Sequence, residues 1–175
     1  MSLALDLATN FAQLQRSLQR LREIEGLPAE VAELRRPEVS GWSALEHVAH
    51  VALANELIVR NLETLLANQG LLLLPHGEPS PKALAVLNSG QIPRGAAQSP
   101  RMVRPPARID RMLLAEWLVT AEAAFTRFAQ DTTSLAAAPG RVPHQLLGPL
   151  SATLWVRFAN VHTRHHLSIA NEVLG

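Results

Sequence analysis

Residues 155–166 read Trp155-Val156-Arg157-Phe158-Ala159-Asn160-Val161-His162-Thr163-Arg164-His165-His166. Trp155, Phe158, Ala159, His162 and His166, followed by Ile169 and Val173, recur at three- and four-residue steps, the stripe of an amphipathic helix. Residues four apart share a helix face, so His162 and His166 direct both imidazoles toward one place. An isolated H-x-x-x-H fits a solvated helix face equally well. This pair instead continues the core-facing stripe, where an unpaired imidazole is costly and where an i,i+4 histidine pair makes a bidentate clamp for zinc or a similar cation. His165 is turned about 100° from His166 and is expected to face elsewhere.

Working outward, this helix is expected to run from about Pro149 to about Leu174. A third helix is predicted over about Ala107 to Gln130, with Met112, Leu113, Trp117, Ala121, Ala124, Phe125 and Phe128 as its apolar face. Ser43-Ala44-Leu45-Glu46 is an S-x-x-E capping box and starts a second helix that continues to about Asn68, stopped by Gly70. The first helix is predicted from about Leu5 to Ile24, carried by Leu7, Phe11, Leu14, Leu18 and Leu21 and ended by Gly26 and Pro28. Seven of the twelve prolines fall between Pro75 and Pro106, which makes this stretch a long connection broken only by a short helix from Pro81 to about Asn88, with Ser80 as its N-cap. Connections of this length are often functional. The expectation is an all-α fold: one domain over residues 1–175, a four-helix bundle with a long Pro-rich connection between helices 2 and 3.

Composition agrees and excludes alternatives. Hydrophobic residues are 47% and charged residues 18% of 175, a balance that argues against wholesale disorder. Aromatics are only 4%, with no tyrosine, so leucine and alanine build the core, and both favour helix over strand. A net charge of +1 from 16 basic and 15 acidic side chains lacks the basic footprint of a nucleic-acid binder. The absence of cysteine excludes disulfides, thiolate ligands and a protein-borne sulfur nucleophile, so any thiol chemistry requires a thiol co-substrate. Met1 to Asn10 lacks a charged n-region and contains Asp6, and the Leu71–Leu74 run is too short to span a bilayer. A cytoplasmic location with no membrane partner is therefore expected.

The second helix carries His47 and His50, nearly a turn apart. Almost every residue around them is apolar, so periodicity gives each an equal claim to the buried face. A third imidazole from this helix would complete a three-nitrogen site with coordination positions left open, as catalytic metal centres have.

Trp42-Ser43-Ala44-Leu45-Glu46-His47-Val48-Ala49-His50 resembles the second-helix signature W-S-x-x-E-x-x-x-H of the DinB-like superfamily. The segment His144-Gln145-Leu146-Leu147-Gly148-Pro149-Leu150-Ser151, then Trp155 and His162-Thr163-Arg164-His165-His166, resembles its last-helix pattern ending in H-x-x-H-H. Ser168 departs from the glutamine usual in that pattern, while Ile169 fits it. The resemblance covers the second and fourth helices. It selects His50 over His47, and His162 with His166 over His165, as metal ligands. It further implies a four-helix bundle, one divalent ion (zinc or nickel) on those three histidines, a homodimer, and a small-molecule substrate. The implied activity is metal-dependent transfer of a low-molecular-weight thiol to an electrophile, or isomerisation through a thiol adduct; no catalytic side chain is assigned. Metal-dependent hydrolysis and a non-catalytic, metal-binding stress-response bundle are the competing readings.

Other residues carry weaker signals. Glu46, Asn55 and Glu56 are candidates for support behind the ligands, though Glu46 is already explained by the capping box. Arg101, Arg104 and Arg108 could meet an anionic substrate, and are more simply read as solvated. His76 and His144 fall in loops and are expected to be exposed. Trp42, Trp117 and Trp155 read as core anchors. A carboxylate-bridged di-metal bundle needs glutamates on several helices, and the last helix offers only Glu172, far from His162.

Overall fold

The computed structural model describes residues 6–95 and 98–175. Its elements are α1 (Leu7–Glu25), a short α2 (Ala29–Ala32), α3 (Ala44–Ala67), α4 (Pro81–Ser89), a 3-10 turn at Arg101–Val103, α5 (Arg111–Gln130), α6 (Thr132–Ala137), the strands β1 (Val142–His144) and β2 (Gly148–Leu150), and α7 (Ala152–Leu174). The described chain is thus mostly helical, with a single two-stranded hairpin. The expected start of the first helix at Leu5 lies outside the described residues. No described helix is long and apolar enough to cross a membrane.

The helix starts follow local chemistry. The Asp6 carboxylate accepts from the Ala8 and Thr9 N–H groups ahead of α1. At α3 the expected capping box forms: Ser43 Oγ accepts from Glu46 N–H at 3.2 Å and Glu46 Oε2 accepts from Ser43 N–H at 2.8 Å. Arg35 pairs with the same carboxylate at 2.5 Å, so Glu46 is committed to structure. Ser80 caps α4 as expected, accepting from Ala83 N–H at 3.1 Å.

Two boundaries differ from expectation. α5 begins at Arg111 because Asp110 takes the N-cap role, accepting from the Met112 and Leu113 N–H groups; Ala107 and Arg108 stay in the loop. α7 begins at Ala152 with Ser151 as its cap. Pro149 instead sits in β2, opposite Pro143, in a hairpin whose register pairs Val142 with Leu150 and His144 with Gly148. Proline is tolerated there because a two-stranded ribbon is all edge. Gly148, at φ 81°, supplies the left-handed residue that closes the turn.

α3 and α7 make the most extensive helix–helix contact, followed by α1 with α7, α1 with α5 and α3 with α5. Leu14 and Leu18 of α1, Leu45 and Leu62 of α3, Phe125 of α5 and Trp155 of α7 belong to one buried apolar cluster. A polar seam runs beside it: Asn160 Nδ2 donates to Asn10 Oδ1 at 2.9 Å and to Gln13 Oε1 at 2.8 Å. Arg157 Nε donates to the Leu87 carbonyl at 2.8 Å, which ties α4, and with it the long connection, to α7. The α3–α7 contact brings the two histidine-bearing segments face to face.

Candidate metal centre

His50 on α3 and His162 on α7 are both buried, with their Nε2 atoms 3.1 Å apart. His166 completes the group: one nitrogen from each of the three lies within 4.8 Å of the others. The rings of His50 and His162 stand 4.4 Å and 4.6 Å from that of His166. The residues selected at the outset therefore meet at one point, although His50 and His162 are separated by 112 positions.

The His50 ring is fixed from behind. Its Nδ1 lies 2.7 Å from the carbonyl oxygen of Val103, which only accepts, so Nδ1 carries the proton and donates. Nε2 is then left with a free lone pair directed at His162. A backbone acceptor behind a metal-ligating imidazole is the usual way its tautomer and orientation are set. Val103 belongs to the 3-10 turn of the long Pro-rich connection, which gives that connection a role at the site.

Both histidines of α3 turn inward. His47 is as buried as His50, with Nδ1 3.0 Å from His166 Nδ1 and Nε2 2.9 Å from Ser40 Oγ. It lies outside the trio and backs His166 instead. Trp42 packs over this group, its ring 5.3 Å from His47 and 5.1 Å from His50; it covers the histidines rather than anchoring the core. His165 is half-buried, its ring edge-on to His166 at 5.0 Å.

Burial disfavours the charged form of each ring. It lowers His47 to about 4, with His50 next among the causes. His50 is also lowered, chiefly by burial, with the Val103 hydrogen bond opposing. His162 lies well below its ordinary value, through burial and then its imidazole neighbours, and His166 is depressed for the same reasons. All are neutral near pH 7, the form that binds a metal.

A divalent cation fits this donor set. Two nitrogens each about 2.0–2.1 Å from a shared ion stand roughly 3 Å apart, close to the separation of the His50 and His162 nitrogens. Neutral imidazoles facing one another present converging lone pairs that a cation satisfies. An all-nitrogen set suits zinc, nickel or copper rather than calcium or magnesium.

His50 and His162 also line a pocket of about 300 Å³. Ile58, Val86, Trp155 and Phe158 contribute to its largely apolar wall, and Ile92, Pro93, Ser99, Pro100 and Val103 of the long connection also line it. His144 lines it too and is half-buried, not exposed as its loop position suggested. Its ring packs on Phe158 at 4.5 Å and Trp155 at 5.5 Å, and burial lowers its pKa to about 4.

The remaining candidates fall away from the centre. His76 is exposed, as expected. Arg101, Arg104 and Arg108 are exposed and none lines the pocket. Glu56 pairs with Arg60 at 2.5 Å. Asn55 is buried and donates weakly to Thr163 Oγ1 at 3.4 Å. Trp117 is half-buried against the core, while Trp155 is a core anchor whose Nε1 donates to the Val142 carbonyl at 3.1 Å. Sequence reasoning missed Val103 and Ser40. A backbone carbonyl has no sequence signature, and a serine seven residues before His47 is distinguishable only once the chain is folded.

The depressed histidine pKa values fix the sign of a pH effect. Between an unfolded value near 6.5 and folded values of about 4 for His47 and His144, the unfolded chain binds more protons, so stability falls as pH is lowered through that window. Metal-free protein is expected to keep its Tm above pH 6.5 and to lose it progressively toward pH 4. A Tm unchanged across that window in thermal scans would contradict the burial of neutral imidazoles.

A family model described as DinB superfamily matches residues 13–170. No curated protein and no solved structure matches the chain.

Proposed function

Because the chain belongs to the DinB superfamily, we propose that it is a single-domain four-helix-bundle metalloenzyme that binds one zinc or nickel ion through His50, His162 and His166. In this reading it joins a low-molecular-weight thiol to a small electrophilic substrate. The observation that carries the reading is the convergence of three neutral imidazoles beside an apolar pocket lined by two of them. A purely structural ion needs no such pocket, and this favours an enzyme over a non-catalytic metal binder.

An ion bound there supplies a positive charge that favours the deprotonated form of a thiol or water next to it. The protein's own groups do the rest. Val103 and His47 hold the rings of His50 and His166 in place. Trp155 and Phe158 help to keep water from the reacting atoms and receive the apolar part of the substrate. Since the chain has no cysteine, the sulfur comes from the co-substrate: its S–H proton passes to solvent, a C–S bond forms at the electrophilic carbon, and the leaving group departs with the electron pair of the broken bond.

Untagged protein prepared without chelator is expected to contain about one zinc- or nickel-like ion per chain by elemental analysis, as a three-imidazole site would hold. A panel of low-molecular-weight thiols against alkylating and epoxide electrophiles should then give product that depends on both the thiol and the ion. Protein without an ion overturns the reading. Full metal with rates indifferent to thiol, but with hydrolysis of an ester or amide panel, moves the activity to metal-assisted hydrolysis.

A further inference from the structure

His144 presents one ring nitrogen to the hairpin turn and the other to no protein group. Its Nδ1 accepts the backbone N–H groups of Leu146 at 3.1 Å and Leu147 at 3.2 Å. An atom that accepts two N–H donors carries no proton of its own, so the neutral ring must hold its hydrogen on Nε2. Nε2 has no acceptor among the described residues and is not among the buried side-chain atoms lacking a partner, so it keeps access to the space around it. The His144 side chain lines the pocket shared with His50 and His162. Trp155 and Phe158 flank the ring, and the short hairpin anchors it from behind.

We propose that His144 is the orienting hydrogen-bond donor of this pocket, giving its Nε2–H to an acceptor oxygen on a compact, largely apolar molecule bound beside His50 and His162. The lining supports this class of ligand. Among the described residues it contains no aspartate or glutamate to meet a cationic ligand, its walls are mainly hydrocarbon, and its one ammonium group is Lys82, the only lysine in the chain, exposed on α4. A fixed N–H donor in an apolar wall discriminates strongly for a molecule that can accept from it, because an analogue lacking the oxygen leaves the donor unpaired. The inference rests on the preceding reading only in taking the pocket as the substrate site; the proton's place on Nε2 follows from the hairpin whether or not an ion is bound.

The test compares acetophenone with α-methylstyrene, in which a C=CH₂ group replaces the carbonyl in the same shape. Dissociation constants are measured by NMR titration on full-length protein as purified and after chelator treatment. Wild type is expected to prefer acetophenone by roughly fivefold in both samples, the typical effect of one hydrogen bond. His144→Asn keeps an acceptor for the turn but cannot reach as far as Nε2, and should bring the ratio to about one. His144→Gln, which carries an N–H group near the Nε2 position, should restore part of it. Side-chain nitrogen NMR on ¹⁵N-labelled wild type should find the His144 proton on Nε2. A proton on Nδ1, an unchanged preference in His144→Asn, or failure of both probes to bind wild type overturns the proposal. A preference that disappears on chelation yet survives His144→Asn assigns the oxygen to the ion and also overturns it. Wild type that holds no ion as purified, yet keeps the preference, supports His144 and refutes only the metal reading.

Discussion

Protein carrying His162→Ala is expected to leave purification without a stoichiometric ion and to bind added zinc more than about a hundredfold more weakly than wild type. Loss of an outer partner of a metal ligand alone costs typically 10–100-fold, and removing one of three nitrogens should exceed that. His162 is the strictest choice because it is buried and faces His50 at 3.1 Å, so no surface group replaces it. His50→Ala and His166→Ala should behave alike. His47→Ala should still take up one ion at saturation but with roughly 10–100-fold lower affinity, because the partner 3.0 Å behind His166 is gone. His165→Ala should bind as wild type does. Competition with a chromophoric chelator and the visible spectrum of the cobalt-substituted protein report these affinities, with far-UV circular dichroism as a check on folding. Full metal content in His162→Ala would remove the basis for the centre.

Trp155→Ala should produce the largest loss of stability of any single change at the site's edge, about 3–5 kcal/mol, out of a total of about 5–15 kcal/mol typical of folded proteins. Trp155 is buried, packs edge-on to Phe158 at 5.9 Å, and donates through Nε1 to the Val142 carbonyl at 3.1 Å. Its removal leaves a cavity between α7 and the hairpin and takes from the Val142 carbonyl the second of its two donors, the first being the Leu150 N–H of the hairpin ladder. Trp155→Phe keeps most of the volume and should cost about 1–2 kcal/mol for the missing hydrogen bond and trimmed ring. Urea unfolding of metal-free protein separates the two. A loss below about 1 kcal/mol in Trp155→Ala would mean that the hairpin is not packed as described.

The helical content and the His162/His166 pair were legible because each rests on a spacing. The stripe from Trp155 to Val173 and the capping box at Ser43 and Glu46 are local patterns, and local patterns survive folding. The choice between His47 and His50 was not legible from spacing, and the structure explains why: α3 is buried on both sides of the line between them, by α7 and by the long connection, so both rings face inward. Only resemblance to a family separated them. The hairpin was hidden for a different reason. Three-residue strands such as Val142-Pro143-His144 are too short to show alternation, and Pro149 mimics a helix start. His144 was consequently read as an exposed loop residue, because its burial depends on Trp155 and Phe158, which arrive from another element. Val103 acts through its carbonyl, the part of a residue that sequence does not distinguish.

The bond from His50 Nδ1 to the Val103 carbonyl joins two tasks in one segment. The stretch that lines one side of the pocket is also the stretch that keeps an imidazole in register, so any displacement of it would release the His50 ring as well. Pocket shape and ring orientation are therefore set together by residues 99–103. Pro100, Pro105 and Pro106 restrict the backbone on both sides of Val103. A proline-rich stretch that looks like mere spacer in the sequence thus acts as a brace, wall to the pocket and backing to His50 at once.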